Sequence, residues 1–180
     1  NHKIINTTIV KYGAIGGVAV TLFFLGPIVF SADSYMDPDK MEQGEVYGYS
    51  IMVLSMLSVF FGVRAYRKKI EGQALSFLRA LGVGLQITVV ACLLFYIGNV
   101  VLYEVISPNF LTEFGNYYKE YMLEKAVTPE EKETVLTEFE QLAAFLKNSY
   151  LYALLMAGST LFIGIIISLI SAAVLQRKPA

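Results

Sequence analysis

The sequence NSYLYALLMAGSTLFIGIIISLISAAVLQ, which runs from Asn148 to Gln176, contains 29 residues and no charged side chain. Three further charge-free stretches precede it, at residues 12–31, 46–63 and 80–103. A charge at the centre of a bilayer costs about 2.5–3.5 kcal/mol on insertion scales, so four such stretches indicate a chain selected for lipid. Each is long enough to cross the hydrocarbon core as a helix, which takes about 17–25 residues. We therefore predict an integral membrane protein.

The overall composition agrees with a membrane environment. Hydrophobic residues make up 56% of the 180 residues and charged residues 16%, whereas a soluble domain carries about 25% charged residues. We predict a single all-α membrane domain over residues 1–180 with four transmembrane helices, at about 12–31, 46–63, 80–103 and 149–175. The first apolar run exceeds the roughly 7–15 residues of a signal peptide, so we expect it to be retained as a membrane anchor.

The charges divide unequally between the two sides that four crossings create. One side carries a single acid, Glu71, and nine cations, which are Lys3, Lys11, Arg64, Arg67, Lys68, Lys69, Arg79, Arg177 and Lys178. The other side carries fourteen acids, from Asp33 to Glu140, and five lysines. Because cytoplasmic loops are enriched in Lys and Arg, we predict that both termini are cytoplasmic.

A short basic run follows the second predicted span. It contains four cations within six residues, Arg64, Arg67, Lys68 and Lys69. The run acts either as a topology signal alone or as a contact for anionic lipid head groups, at about 1 kcal/mol per cation. After the run, Ser76 is predicted to cap the helix that enters the third span.

Small residues recur at four-residue spacing in two of the spans. Gly13 and Gly17 form such a pair in the first span, and Gly164, Ser168 and Ala172 form a stripe in the fourth. Small residues let two helices approach closely in lipid. We therefore predict helix–helix packing at these positions, either within the chain or in a homo-oligomer.

The third span holds the polar residues Gln86, Tyr96 and Asn99. Tyr96 and Asn99 share one helical face with Tyr103, at positions i, i+3 and i+7. We expect Asn99 to bond across to a neighbouring helix, an interaction that averages about 0.6 kcal/mol in membranes. The alternative is a polar pathway past Gln86, Tyr96 and Asn99 that contacts a substrate.

The segment 108–147 has the periodicity of two amphipathic helices, which we predict to form an extracytoplasmic helical hairpin between transmembrane helices 3 and 4. Its apolar stripes include Phe110, Phe114, Tyr117 and Tyr121 in the first helix and Leu136 and Phe139 in the second. Thr128-Pro129-Glu130-Glu131 supplies an N-cap, a proline at the first helical position and an acid three residues after the cap. We expect the second helix to run without a break into the fourth span. The loop at 32–45 is predicted to be an acidic connector with a turn at 37–39.

The two apolar stripes of this hairpin need a covering surface. They pack either against each other and the outer face of the bundle or against a partner, which is a membrane or periplasmic protein or a second copy of the chain. A position flat on the lipid surface is disfavoured, because the polar faces are acidic whereas interfacial helices are rich in Lys and Arg. The stripe residues are accordingly candidate partner-binding residues.

The predicted spans contain no Asp, Glu, Lys, Arg or His, so they offer no group for acid–base catalysis or proton relay within the membrane. Cys92 and His2 are the only cysteine and histidine, which leaves zinc and thiol chemistry without partners. We predict no catalytic residue, no metal site, no cofactor and no nucleic-acid binding. Glu45 and Glu104, at outer helix ends, are interpreted as interfacial acids, with a shared cation site as the alternative.

Short motifs spread over nearly the whole chain carry a family resemblance. They are Gly44-Glu45 with Gly48-Tyr49 and Met52, Arg64-Ala65-Tyr66-Arg67, Phe77-Leu78-Arg79-Ala80 with Gly82 and Gly84, Tyr103 to Pro108-Asn109-Phe110, and Leu175-Gln176-Arg177-Lys178. On these residues the chain resembles a Bacteroidota membrane family of unassigned function, domain-of-unknown-function family 4199. The resemblance implies a four-span protein of the inner (cytoplasmic) membrane of a Gram-negative bacterium. It implies no activity for named residues.

The function expected from these features is non-enzymatic. We predict a structural or accessory subunit that binds other proteins through its outer hairpin and its small-residue helix faces. The alternative is a small transporter or channel with a pathway past Asn99, inside the bundle or in an oligomer. An enzyme is the third class, to which an ordered metal or lipid head group beside Glu45 and Glu104 would point.

Overall fold

The computed structural model describes residues 2–30, 38–70 and 74–177. These residues form six α-helices and one π-helical turn, and they contain no β-strand. In chain order the elements are α1 (His2–Phe30), α2 (Pro38–Lys69), α3 (Phe77–Val101), the π-helical turn (Leu102–Ile106), α4 (Phe110–Lys125), α5 (Pro129–Leu146) and α6 (Ser149–Leu175). The all-α fold class is confirmed over this part of the chain.

Four helical segments are long and apolar enough to span a membrane, namely Ile5–Phe30, Gln43–Lys69, Phe77–Ile106 and Ser149–Leu175. Large apolar side chains cover their outward faces, as Leu22, Phe61 and Leu93 illustrate. Lipid tails solvate such side chains as well as a protein core does. The protein is therefore a multi-pass membrane protein with four candidate spans, as the sequence predicts.

The second helix begins before the expected position. The sequence predicts an acidic connector over residues 32–45 with a turn at 37–39, but α2 already starts at Pro38. Proline is favoured at the first position of a helix, where its fixed φ suits the helix and its missing N–H is not needed. The connector prediction is therefore wrong for residues 38–45, and its earlier part, 32–37, lies outside the described residues.

The spans form a bundle in which α2 and α3 lie centrally and α1 and α6 flank them. The two central helices each contact both flanking helices, and they also contact each other. Two apolar clusters of buried side chains fill this bundle, one around Met56, Tyr66 and Ile87 and one around Phe95 and Tyr103. The second cluster extends into α4 and α5, so these helices share a core with the spans.

Glycines set the distance between α1 and α3. A Cβ added to Gly13 would lie 2.6 Å from Cβ of Val90, and one added to Gly17 would lie 2.8 Å from Cβ of Leu94. Real Cβ atoms do not approach other heavy atoms this closely, so the two helices depend on glycine at both positions. The pair predicted from the sequence lies against a helix of the same chain.

Small residues play the same part between α3 and α6. A Cβ on Gly164 would overlap the side chain of Thr88, and Ser168 lies against Gly84. The hydroxyls of Thr88 and Ser168 are 3.3 Å apart, so either can donate to the other, and each also lies within hydrogen-bond distance of a carbonyl of its own helix. Ala172, the last member of the predicted stripe, is buried in the same bundle. The stripe therefore faces α3 and not the surface.

The chain leaves α3 through the π-helical turn. The Ser107 N–H donates to the Leu102 carbonyl at 2.7 Å and closes this wider turn. Pro108 and Asn109 follow before α4 starts at Phe110. Because proline lacks an N–H and restricts the residue before it, the helix ends here and the chain changes direction.

The start of α5 is the capping box that the sequence predicts. The Thr128 hydroxyl accepts from the Glu131 N–H at 3.1 Å, and the Glu131 carboxylate accepts from the N–H groups of Thr128 and Val127. Pro129 occupies the first helical turn. Three backbone donors that would otherwise be unsatisfied are thereby bonded.

The end of α5 differs from the prediction. The sequence analysis expects α5 to continue into the fourth span, but α5 ends at Leu146 and α6 begins at Ser149. Between them, the Asn148 side chain accepts from the N–H groups of Tyr150 and Leu151, at 3.1 and 3.2 Å. An asparagine that bonds backbone in this way caps a new helix and breaks the old one. The expectation of one continuous helix is therefore wrong.

The end of the bundle that carries Arg79 and Arg177, which we call the basic end, is closed by contacts between distant segments. Backbone atoms of Leu75 and Arg177 form an isolated antiparallel bridge, with N–O distances of 3.1 and 2.8 Å. The Arg79 guanidinium lies 5.5 Å from the centre of the Tyr66 ring. The Ser76 hydroxyl accepts from the Arg79 N–H at 3.3 Å, which confirms the predicted cap. Three of the charged residues that the sequence analysis assigns to this side lie outside the described side chains, namely Lys3, Glu71 and Lys178.

Candidate functional site

A cavity of about 590 Å³ lies at the end of the bundle that carries α4 and α5, which we call the acidic end. It is bounded by α1, α2 and α6, by the π-helical turn, and by α4 and α5. We call this cavity the chamber. The largest side chains that line it are Phe24, Tyr103, Phe110, Phe114, Tyr118 and Tyr152.

One wall of the chamber is the first part of α2. Gly44, Gly48 and Met52 line it at four-residue spacing, so they share one face of the helix. A Cβ on Gly48 would lie 3.0 Å from Phe24 Cε2, whereas a Cβ on Gly44 would have no heavy atom within 4 Å. The missing side chain of Gly44 therefore leaves open space at this wall, whereas that of Gly48 makes room for Phe24.

The opposite wall is a ladder of aromatic rings. Ring centroids are 6.1 Å apart for Tyr103 and Phe110, 5.7 Å for Phe110 and Phe114, and 6.2 Å for Phe114 and Tyr118, with planes within 24°. Tyr152 of α6 meets Tyr103 edge-on at 5.7 Å. Such pairs contribute about 0.5–1.5 kcal/mol each beyond their buried area. The ladder therefore fixes α4 to the end of the bundle.

The described part of the chamber lining carries negative charge. Glu45 is the one acidic residue among the described residues that line it, and none of them is basic. The pKa of Tyr118 is raised, chiefly because the ring is partly buried and then because the carboxylates of Glu45 and Glu138 and the hydroxyl of Tyr121 are near. Tyr118 thus stays protonated, and the chamber suits neutral or cationic molecules better than anionic ones.

The predicted partner-binding residues do not form one surface. Phe110 and Phe114 belong to the chamber wall. The Tyr121 ring lies 4.6 Å from Lys125 Nζ, and the Phe139 ring lies 5.4 Å from Lys119 Nζ. These cations partly cover both rings. Tyr117 is half-buried, whereas Leu136 remains 41% exposed on α5.

The three polar residues predicted as a pathway are not brought together. Asn99 is fully buried, and its Nδ2 donates to the Phe95 carbonyl of its own helix at 2.8 Å. The predicted bond from Asn99 to a neighbouring helix is therefore wrong, and its Oδ1 has no hydrogen-bond partner among the described atoms. Gln86 lies on an exposed face of α3, and Tyr96 is half-buried. A Ser or Thr hydroxyl on a facing helix position would have been needed for the expected bond.

The basic run lies far from the chamber along α2. The chamber wall starts near Gly44, and Arg64 follows about 20 residues later, which corresponds to roughly 30 Å of helix. Arg64, Lys68 and Lys69 are exposed and Arg67 is half-buried. Lys69 Nζ donates to the Thr8 hydroxyl of α1 at 3.3 Å. At least one cation of the run thus has an intramolecular role.

Glu104 and Glu45 occupy different settings. The Ser149 hydroxyl donates to the Glu104 carboxylate and so connects the π-helical turn to the start of α6. Glu45 lines the chamber. Within the described ranges, no three residues of the His, Cys, Asp and Glu types lie close enough to hold a metal ion. Cys92 is buried in α3.

Sequence reasoning misses most of the chamber. Gly44, Gly48 and Met52 are among the residues that carry the family resemblance, and their four-residue spacing is the available signal for a cavity wall. The spacing of Phe110, Phe114 and Tyr118 gives an apolar stripe, but it does not reveal what the stripe faces. The contribution of Tyr152 from α6 has no signal in the sequence.

Comparison with known proteins gives one match. Residues 11–177 match the model of a family described as "Protein of unknown function (DUF4199)". No curated protein and no solved structure matches the chain. The match covers the first candidate span from residue 11 onward, the other three spans in full and every described residue that lines the chamber, but it brings no activity with it.

Proposed function

The chain belongs to the DUF4199 family, and we propose that it is a non-enzymatic membrane protein that binds an apolar or amphipathic small molecule in the chamber. The observation that carries the proposal is the cavity of about 590 Å³ with aromatic walls from several helices. Binding pockets for small molecules have volumes of about 300–1,000 Å³, mostly apolar walls and a few polar groups. The chamber has each of these properties.

The rest of the bundle argues against an accidental gap. At the α1–α3 and α3–α6 contacts, no room is left for a single additional carbon atom. Protein interiors are packed to similar density throughout, and a void removes dispersion contacts from the atoms that line it. A large hollow beside helices packed this closely is therefore best explained by a molecule that fills it.

The charge distribution supports an orientation for this site. Cations gather at the basic end, so the positive-inside rule favours cytoplasmic termini and an extracytoplasmic hairpin formed by α4 and α5. The resemblance to an inner-membrane family is in accord with this orientation. A cysteine introduced as Glu130→Cys, in a Cys92→Ala background, should react with an impermeant thiol reagent added to the periplasmic side. Labelling from the cytoplasmic side alone would contradict this orientation.

We also propose an accessory role toward another protein, now restricted to α5. Leu136 is exposed there among the exposed acids Glu133, Glu138 and Glu140, whereas the small-residue faces are occupied inside the bundle. A photo-crosslinker at position 136 should capture a membrane or periplasmic protein, and one at position 22, on the lipid face of α1, should not. Monomers alone after gentle extraction, with no crosslink from position 136, would contradict the accessory role.

The transporter or channel alternative has less support. Gln86 lies on an exposed face of α3, whereas Asn99 is sealed inside the bundle. A pathway needs polar groups that line a continuous route. The chamber instead ends among the apolar side chains of the second core cluster.

Filling the chamber tests the proposal directly. In Gly44→Phe, the new side chain starts in open space at the chamber wall and should occupy the site without displacing a neighbour. The matched control is Gly82→Phe, because Gly82 also has open space around it but lies in α3 outside the chamber. Both variants replace a helical glycine with the same residue, so their helix propensities change equally.

The measurement is native mass spectrometry of the whole chain, extracted from its membrane in a mild detergent. We expect a bound small molecule on the wild type and on Gly82→Phe, and its loss from Gly44→Phe. An equal amount of bound molecule on all three proteins would show that binding occurs elsewhere. Its absence from the wild type would overturn the proposal.

A further inference from the structure

A second apolar concavity lies on the outside of the bundle along α6, with one lining residue each from α2 (Tyr49) and α5 (Phe145). It is lined chiefly by Leu154, Leu155, Gly158, Phe162, Ile163 and Ile166 of α6. All of these residues belong to a candidate membrane span, so the concavity faces the hydrocarbon region of the bilayer. We call it the groove.

The groove and the chamber meet at two residues. Tyr49 of α2 and Ser159 of α6 line both of them. Tyr49 is exposed, and the Ser159 hydroxyl is occupied by the Leu155 carbonyl of its own helix, at 3.2 Å. Ser159 therefore presents no unsatisfied hydroxyl to the groove. The boundary between the two spaces is therefore compatible with an apolar chain that passes from one to the other.

The groove has room for such a chain. A Cβ on Gly158 would have no heavy atom within 4 Å, so the groove is open beside the boundary residue Ser159. From Ser159 to Ile166, α6 advances about 10 Å at 1.5 Å per residue. That distance is comparable to the depth of one leaflet of a hydrocarbon core that is about 30 Å thick in total. The occupant of the groove is thus best matched by an acyl chain.

The chamber selects the other end of the molecule. Among the described residues, its lining has one carboxylate, Glu45, no cationic side chain and several aromatic faces. Aromatic faces attract ammonium groups, and a nearby carboxylate adds to that attraction. The Tyr118 hydroxyl remains protonated under the same negative charges and can donate to an ester or phosphate oxygen. An amino head group fits this lining better than an anionic one.

We infer that the occupant is a membrane phospholipid with an amino head group, which lies in the chamber beside Glu45 while an acyl chain leaves between Tyr49 and Ser159 and follows the groove. This inference rests on the proposed function, because it names the class of molecule that the chamber binds. The lipid enters sideways from the bilayer and need not cross water.

The test compares two lipids on the reconstituted whole chain. The protein is placed in nanodiscs with equal amounts of phosphatidylethanolamine and phosphatidylglycerol and then released into mild detergent. Lipids that remain bound are counted by native mass spectrometry. We expect phosphatidylethanolamine to exceed phosphatidylglycerol by about tenfold on the wild type, which corresponds to about 1.4 kcal/mol.

Two pairs of variants separate the head-group contact from the chain contact. Glu45→Gln should bring the lipid ratio close to one without loss of total bound lipid, whereas Glu120→Gln, an exposed α4 position outside the chamber, should keep the tenfold ratio. Gly158→Phe should reduce bound long-chain phosphatidylethanolamine about tenfold and spare a dihexanoyl analogue, whose short chains end before the groove. Gly82→Phe should bind both lipids as the wild type does.

The outcomes distinguish this inference from the proposed function. A ratio near one on the wild type, unchanged by Glu45→Gln, would overturn the head-group assignment while leaving chamber binding intact. Unaltered long-chain binding by Gly158→Phe would overturn the route through the groove. A wild type that retains neither lipid, but still carries another small molecule displaced by Gly44→Phe, would reject the phospholipid alone. The absence of every bound molecule would reject the proposed function as well.

Discussion

Glycine has opposite effects in the membrane bundle and at the acidic end. In the bundle, Gly13, Gly17 and Gly164 allow backbones to approach until no additional carbon fits between the helices. At the acidic end, Gly44 faces open space and leaves a hollow. The same missing side chain therefore closes one region and opens the other. The difference depends on how closely the facing helix can pack against the glycine.

The facing helices differ in the size of their side chains. Small residues on α3 and α6 meet each other in the bundle, where Gly84 lies against Ser168. At the acidic end, α4 presents the aromatic rings of Phe110, Phe114 and Tyr118, which stack along one face of α4 and line the chamber together with α2. The bundle is thus stabilised by close backbone approach, and the acidic end by ring stacking and helix capping.

The largest effect is expected where the bundle has no free space. In Gly164→Val, the new methyl groups would overlap Thr88, and we expect a loss of about 3 kcal/mol, at the upper end of the range for overpacking. The measurement is the free energy of unfolding in mixed micelles. Gly158→Val is the control, because the same substitution on the same helix meets open space and should be nearly neutral. Equal losses for both variants would break the comparison.

A smaller effect is expected at the cap of α5. Thr128→Ala removes an acceptor for the Glu131 N–H and should destabilise the first turn of α5 by about 1 kcal/mol. Hydrogen exchange of the amides in that turn should accelerate about fivefold, while amides in α6 keep their rates. Thr128→Ser retains the hydroxyl and should behave as the wild type. Faster exchange throughout α6 would show that the two regions unfold together.

A still smaller effect distinguishes two buried polar residues of the bundle. Because the Asn99 amide bonds only a carbonyl of its own helix, Asn99→Leu should change the free energy of unfolding by less than the roughly 0.6 kcal/mol of a cross-helix bond. Thr88→Val, which removes a hydroxyl 3.3 Å from that of Ser168 on α6, should lose about that amount. A larger loss for Asn99→Leu than for Thr88→Val would contradict the assignment.

The smallest effect concerns pH at the acidic end. The pKa of Glu131 is lowered, chiefly by the Thr128 N–H and then by the Val127 N–H, which both donate to its carboxylate. A lowered folded-state pKa contributes stability above the ordinary value of 4.5, and the contribution is lost as the pH falls through the folded-state pKa. The protection factors of the amides in the first turn of α5, which compare the observed exchange rate with that of an unfolded chain at the same pH, should therefore fall below about pH 4.5. In Glu131→Gln this pH dependence should disappear, and its persistence would implicate other acids.

The sequence predicts the spans and the capping box because both depend on local chemistry. A charge-free stretch of membrane length has one low-energy conformation in lipid, which is a helix, because a helix satisfies its backbone hydrogen bonds internally. Thr128 and Glu131 are three residues apart, so their bonds form wherever the helix starts. The break at Asn148 is harder to predict, since the apolar residues around it continue the helical period and only the cap geometry reveals the interruption.

Side-chain partners across helices escape prediction for a different reason. The helical period places Asn99 on an inward face, but it does not state which side chain lies opposite. Phe110 and Phe114 illustrate the same gap, because their stripe predicts burial without deciding between a partner protein and the chamber. The stripe faces the chamber because of the rotation of α4 about its axis, which is set by the stacking of Phe110 on Tyr103.

By itself, the sequence determined that the protein belongs in a membrane, has four helices apolar enough to cross it and carries unlike charges at its two ends. The reason is that the free energy of moving a charge into lipid is a property of each segment alone. The tertiary structure decided that the small-residue stripes meet inside the bundle, that Asn99 bonds within its own helix, and that α4 stands off from α2 to leave a chamber. These features depend on distances between residues far apart in the chain, which no local pattern of hydrophobicity or charge specifies.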